Sequence, residues 1–272
     1  MTYSYAPRPV PLPSASLATP DHPPSAVAAR RQEAGARATV VLVHGAFADA
    51  SSWNATVTRL RLAGYPVVAL ANPLRGLDYD AAYVRGRLHA VTGPKIVVGH
   101  SYGGAVITNA AAGAHEVRAL VYVAAFIPED DETLGTLMEQ HPDSAIPPLP
   151  QQTFSYTLAD ATTGTDVFLD PVRFRASFAA DVSEEESALM AASQRPVSVA
   201  AFGQPTRQAA WKKLPSWALI ATEDQAIGAP LERFMAERAG ARITEVAGSH
   251  AVMVSNPGAV SRIIEQADLA TR

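Results

Sequence analysis

The chain contains no cysteine in 272 residues. That excludes disulfides, thiolate nucleophiles and cysteine metal sites, and it leaves the redox compartment undetermined. No apolar run approaches the ~18 residues of a membrane span. There is no basic cluster, and a formal net charge of −4 gives no electrostatic footprint for nucleic acid. The opening MTYSYAPRPVPLPSASLATPDHPP has neither the basic n-region nor the apolar h-region of a signal peptide, so a cytoplasmic location is the expectation. What is present is a chain 48% hydrophobic and 18% charged. It can bury a substantial core, as one large α/β domain or a core with an inserted subdomain.

Residues 1–37 are rich in Pro, Ala and Ser without sustained periodicity and read as a flexible N-terminal arm. Strand and helix patterns then alternate. Ala38–Val43, Pro66–Leu70, Lys95–Val98 and Val117–Ala124 are short apolar runs of the kind that form central parallel strands covered on both faces. Between them, Ser51–Ala63, Tyr79–Val91 and Tyr102–Ala112 read as helices, the first capped by Asp49 or Ser51 and stopped by Gly64. The rhythm breaks from about Phe126 to Leu214, through an acidic run, HPDSAIPPLP, a Thr-rich stretch and the helix start SEEE. This predicts a small helical lid over 128–213, with a β-ribbon near Phe154–Leu158, set into a core of 38–127 and 214–272. Alternation resumes with strands Trp217–Ala221 and Arg242–Val246 and helices Pro230–Ala239 and Pro257–Ala267.

Gly-x-Ser-x-Gly is a weak pattern in a chain with 17 glycines. Here Gly99-His100-Ser101-Tyr102-Gly103 follows an apolar strand and runs straight into the small-residue helix AVITNAAAGA. That context turns it into a nucleophile elbow, a tight turn that lifts a serine hydroxyl above the sheet. The N–H of Tyr102, at a helix N-terminus, can stabilise an oxyanion. Two further loops follow strand ends, where open parallel sheets place their chemistry. Asp224 lies in ALIATEDQAI, with Glu223, Glu129, Asp130 and Asp131 as competing acids. His250 lies in EVAGSHAVMV, with His44 and His100 near the site as loop-holding histidines. A serine hydroxyl needs a positioned imidazole to take its proton, and the imidazole needs an acid to fix its tautomer. A second oxyanion donor is expected from His44-Gly45-Ala46-Phe47, through the N–H of Ala46. Phe47, Phe126 and Met253 adjoin these motifs as candidate substrate contacts, although Phe126 and Met253 suit a plain core role equally. Phe168, Phe174 and Phe178 fit either an entrance gate or helix packing.

With HGAF, GHSYGG, TEDQAI and GSHAVM in this order, the chain resembles the α/β-hydrolase superfamily over roughly 38–268. It is most similar to the branch of plant methyl esterases and hydroxynitrile lyases with bacterial esterase relatives. The resemblance implies an α/β-hydrolase fold: a mostly parallel sheet flanked by helices, with an inserted lid. It further implies a serine carboxylic-ester hydrolase acting through an acyl-enzyme on a small or medium ester, with Ser101, Asp224 and His250 as triad and no metal or cofactor. The lyases of that branch carry a threonine after the first-strand histidine and a lysine after the catalytic one. This chain has Gly45 and Ala251, which gives cyanide no cation and favours acyl transfer. Its HGAFADASSW loop is longer than in the plant branch, and Ile227-Gly228-Ala229-Pro230 replaces an Ile-Pro after the acid. The rival readings are a cofactor-free perhydrolase or haloperoxidase with the same triad, and a slow-turnover ligand-binding protein of the same fold.

Overall fold

The computed structural model describes residues 37–140 and 151–272; the N-terminal arm, but for its last residue, and the HPDSAIPPLP segment lie outside the described residues. Strands β1 (Thr39–Val43), β2 (Val67–Leu70), β3 (Lys95–Ser101) and β4 (Val117–Ala125) are separated by helices α1 (Asn54–Leu62), α2 (Leu77–Ala90) and α3 (Tyr102–Ala110). The chain next forms α4 (Leu134–Gln140), strands β5 (Gln151–Thr157) and β6 (Thr163–Leu169), helices α5 (Phe174–Phe178) and α6 (Glu184–Ser193), and the two-residue strand β7 (Val197–Ser198). Strand β8 (Ser216–Ala221), helix α7 (Ala229–Arg238), strand β9 (Arg242–Val246) and helix α8 (Pro257–Ala270) complete it.

Six strands pair in parallel in the order β2-β1-β3-β4-β8-β9. Burial has the period of a strand covered on both faces. On β1, Val41 and Val43 enter one core with Val84 and Leu88 of α2 and Val106 of α3. The intervening Val40 and Leu42 enter the other, with Leu60 of α1 and Ile263 and Ile264 of α8. The sheet reverses its strand order at β1, which has β2 on one side and β3 on the other. A crevice opens at such a reversal, beyond the carboxyl ends of the strands.

The expected helix Ser51–Ala63 begins later than its pattern suggests. The Asp49 carboxylate accepts the Ser51 N–H at 2.7 Å and the Ser51 hydroxyl at 2.5 Å. That local capping winds Ala50–Trp53 into a 3-10 turn before α1 starts. Strands β5, β6 and β7 make a separate antiparallel sheet. Arg75, in the loop after β2, fastens that sheet to the main one: its guanidinium grips both Asp166 oxygens at 3.0 and 2.9 Å and the Tyr156 hydroxyl at 2.7 Å. Bidentate geometry of this kind fixes orientation as well as adding energy. Among the described residues no helix is long and apolar enough to cross a membrane.

Candidate active site

Ser101 ends β3 and caps α3 with φ 54° and ψ −126°. A non-glycine residue with positive φ costs roughly 1–3 kcal/mol and persists only where its surroundings over-determine it. Here they do. On one side β3 pairs with β4, where the register skips a residue between His100↔Val123 and Ser101↔Ala125. On the other side lies the loop after β1: a Cβ at Gly45 would sit 2.6 Å from the Ser101 Cβ and 2.9 Å from the His100 carbonyl oxygen. Every residue of α3 is buried, so its N-terminal end points its free amides into a water-poor region.

His250 and Asp224 come from the loops after β9 and β8. The His250 Nδ1 lies 2.5 Å from Asp224 Oδ2, and both side chains are fully buried. The other Asp224 oxygen accepts the N–H groups of Ala226 and Ile227 at 2.5 and 2.9 Å. Burial pushes this carboxyl up, but the facing imidazole and the hydrogen bonds outweigh burial and hold it well below the usual carboxylate range. Of the competing acids, Glu129 and Asp130 are engaged elsewhere, pairing with Lys212 at 2.8 and 2.9 Å. The ring of His250 packs edge-on against Phe178 with centroids 4.7 Å apart, and the Ala251 N–H donates to the Phe178 carbonyl at 3.0 Å. One side of the histidine loop is therefore built by the segment between β4 and β8.

The two neighbouring histidines are fixed in the scaffold. His100 Nε2 is 2.9 Å from the His250 carbonyl oxygen and so carries the hydrogen of that contact. His44 accepts the Asn72 N–H on Nε2 at 2.9 Å, which leaves its Nδ1–H to donate to the Gly45 carbonyl at 2.9 Å. Burial lowers His44 from 6.5 to about 4. Its folded value lies below the unfolded one, so the stability contributed by neutral His44 is complete above 6.5 and is lost as pH falls to about 4. The loss amounts to about 3 kcal/mol. Urea unfolding from about pH 7 to about pH 4 should show this acid limb, and His44→Gln should flatten it. An unchanged limb would assign the titration to another group.

Tyr102, the residue after the serine, is buried, and its hydroxyl donates to Asp80 Oδ2 at 2.7 Å. Asp80 Oδ1 accepts the Arg75 backbone N–H at 3.0 Å. Burial raises both the Asp80 carboxyl and the Tyr102 phenol. A polar chain thus runs from the elbow through Asp80 to Arg75 and on to the antiparallel sheet. Neither Asp80 nor Arg75 stands out in the sequence, because their partners are remote along the chain.

Ser101 and His250 lie at the wall of a cavity of about 560 Å³, within the range of small-molecule sites. Ala46, Phe47, Tyr102 and Phe126 line it, as does Ile227 beside Asp224. Met253 does not line it. It is fully buried in the second core with α1 and α8, because the turn Val252–Ser255 directs it to the opposite face of the sheet. The expectation of a substrate contact at Met253 is corrected accordingly. Of Phe168, Phe174 and Phe178, only Phe178 lines the cavity; Phe174 is buried behind it, ring centroids 5.1 Å apart. Sequence reasoning did not single out Met138, Val167, Val199 and Phe202, which complete the apolar wall. Among the described residues no group of three or more His, Asp or Glu side chains is placed to hold a metal ion.

Residues 40–263 match the model of the alpha/beta hydrolase family. A carbendazim-hydrolysing esterase of Nocardioides sp. (strain SG-4G) is 35% identical over 124 residues, which is 41% of this chain and 50% of the esterase. The chain therefore aligns with about half the length of that relative. An alpha/beta hydrolase named nvfD from Aspergillus novofumigatus is 24% identical over 249 residues, 84% of this chain and 95% of its own. Among solved structures, polyneuridine aldehyde esterase superposes with a TM-score of 0.75 at 19% identity, covering 85% of this chain and 99% of that one.

Proposed function

The chain belongs to the alpha/beta hydrolase family, and from that premise we propose that it is a serine-dependent hydrolase of small or medium, neutral carboxylic esters. Ser101 attacks the ester carbonyl while His250 takes its proton, and Asp224 holds the Nδ1–H and stabilises the imidazolium. The amides of Ala46 and Tyr102 hold the oxyanion. His250 returns the proton to the departing alkoxide and then activates the water that releases the acyl group. The segment 128–213 acts as a lid, supplying Phe178 beside His250 and much of the apolar wall.

One observation carries this reading: the His250–Asp224 contact of 2.5 Å lies at the same cavity as a serine held at φ 54°. The esterases among its relatives support the ester class. The lining supports the neutral substrate, for among the described residues it includes no lysine or arginine, and Glu139 is its one acidic residue. The test is incubation with a fluorophosphonate, followed by peptide mass mapping, alongside turnover of p-nitrophenyl esters from acetate to decanoate. Stoichiometric labelling of the Ser101 peptide with loss of ester turnover is expected, and the best chain length reports the cavity's reach. Full turnover in the labelled or label-resistant protein would overturn the proposal.

A further inference from the structure

Glu232 lies in the first turn of α7, a position where an acidic side chain normally faces solvent and interacts with the helix dipole. Here it is 2% exposed. One carboxyl oxygen, Oε2, accepts the Ala221 N–H at the end of β8 at 3.3 Å. The other, Oε1, is buried with no hydrogen-bond partner, although the carboxyl abuts that of Asp224 within hydrogen-bonding reach. Two carboxylates cannot hydrogen-bond, since each offers only acceptors. A single proton between them removes both the orphaned oxygen and the repulsion of two buried charges.

We propose that Glu232 is a neutral carboxylic acid that donates its proton from Oε1 to the Asp224 carboxylate, making it a positioning residue for the acid of the site. The assignment rests on the reading of Asp224 as the partner of His250. The groups around Glu232 fit it. Asp224 already takes two backbone N–H groups on Oδ1 and the imidazole on Oδ2, so it is the better-solvated carboxylate and the one to keep the charge. From β8 comes only the Ala221 N–H. On its own helix the adjacent Arg233 turns to Glu245 at 2.8 Å. Burial, and then the Asp224 charge, push Glu232 well above its ordinary 4.5 while Asp224 is held low. The two acids are thus split in the way a pair sharing one proton must be. Held from both sides, Asp224 cannot rotate away from Nδ1 as His250 changes charge.

The test uses stability and spectroscopy, so it does not depend on the protein being an esterase. Because the folded value of Glu232 is raised, its proton stabilises the fold fully below about 4.5 and that contribution is lost as pH rises toward the raised value. Across that window the unfolding constant of wild type relative to Glu232→Gln should rise by up to about tenfold per pH unit, and the difference should shrink when Asp224→Asn is the background. Infrared difference spectra should show a protonated-carboxyl stretch in wild type at neutral pH that is absent in Glu232→Gln and displaced in Asp224→Asn. The infrared arm on wild type and Asp224→Asn stands even if the glutamine variant does not fold. Parallel pH profiles, or the absence of a carboxylic-acid band at neutral pH, would overturn the proposal.

Discussion

Ser101→Ala should lower kcat for p-nitrophenyl esters by roughly 10⁴–10⁶-fold while KM moves little. The alanine keeps the Cβ, so the elbow with φ 54° and the packing against Gly45 are retained, and only the oxygen proposed to form the acyl-enzyme is lost. Adding His250→Gln to Ser101→Ala should cost almost nothing more, because a base without a nucleophile has no proton to take. Ser101→Gly separates the chemistry from the strain. It should be as inactive as the alanine variant yet more stable than wild type by about 1 kcal/mol, since glycine adopts positive φ without a Cβ penalty. Urea unfolding of the three proteins measures that difference. Ester turnover by Ser101→Ala within a factor of ten of wild type would remove the serine from the mechanism.

Gly103→Ala should be strongly damaging for a single-methyl change near the site. Its Cβ would lie 2.5 Å from the Val43 carbonyl oxygen and 2.9 Å from that of His44, both backbone atoms at the end of β1. Neither can step aside without moving the strand or lifting α3 off the sheet. The expected loss is about 3 kcal/mol or more, which for a domain of this size lowers Tm by roughly 6–12 °C. Activity should fall further than stability requires, by about 10²-fold at a temperature where the variant is folded. The shift separates Tyr102 on α3 from Ala46 in the loop after β1, and misplacements near 1 Å are worth about that much. Gly86→Ala provides the contrast. It lies inside α2 with no atom within 4 Å of its would-be Cβ, so it should gain up to about 1 kcal/mol of helix propensity. Thermal denaturation and initial rates on both variants check the pair, and a Gly103→Ala as stable as wild type would contradict the packing described.

Much of this architecture is legible in the sequence because it is written locally. Most strands are short apolar runs, and His44-Gly45, Ser101, Asp224 and His250 all fall at or just past strand ends. Their order along the chain becomes a shared edge as soon as the strands are parallel. The cavity walls are a different matter. Met138 and Val167 lie on α4 and β6, while Val199 and Phe202 sit at the short helix Ala200–Gly203, and only their packing brings them to one surface. Met253 failed for a related reason: nearness to His250 in sequence says nothing about which face of the sheet a one-turn helix will load. Glu232 reads as an ordinary solvated residue of a helix start, and nothing short of the docking of α7 on β8 reveals its burial. Arg75 and Asp80 likewise gain their partners only from the tertiary fold.

The charge of the cavity wall has a bearing on the end of a turnover as well as its start. The neutral ester proposed as substrate would enter a chamber walled mainly by apolar side chains, with Glu139 as the one acidic residue and no lysine or arginine among the described lining. On the proposed reaction, hydrolysis would leave a carboxylate in that chamber, an anion facing no lysine or arginine of the described lining, beside the histidine that has just returned to its neutral form. The wall that favours the uncharged ester would therefore disfavour the charged product, which would promote its release. An ester hydrolase with such a wall would drive out its product by the charge that its own reaction creates.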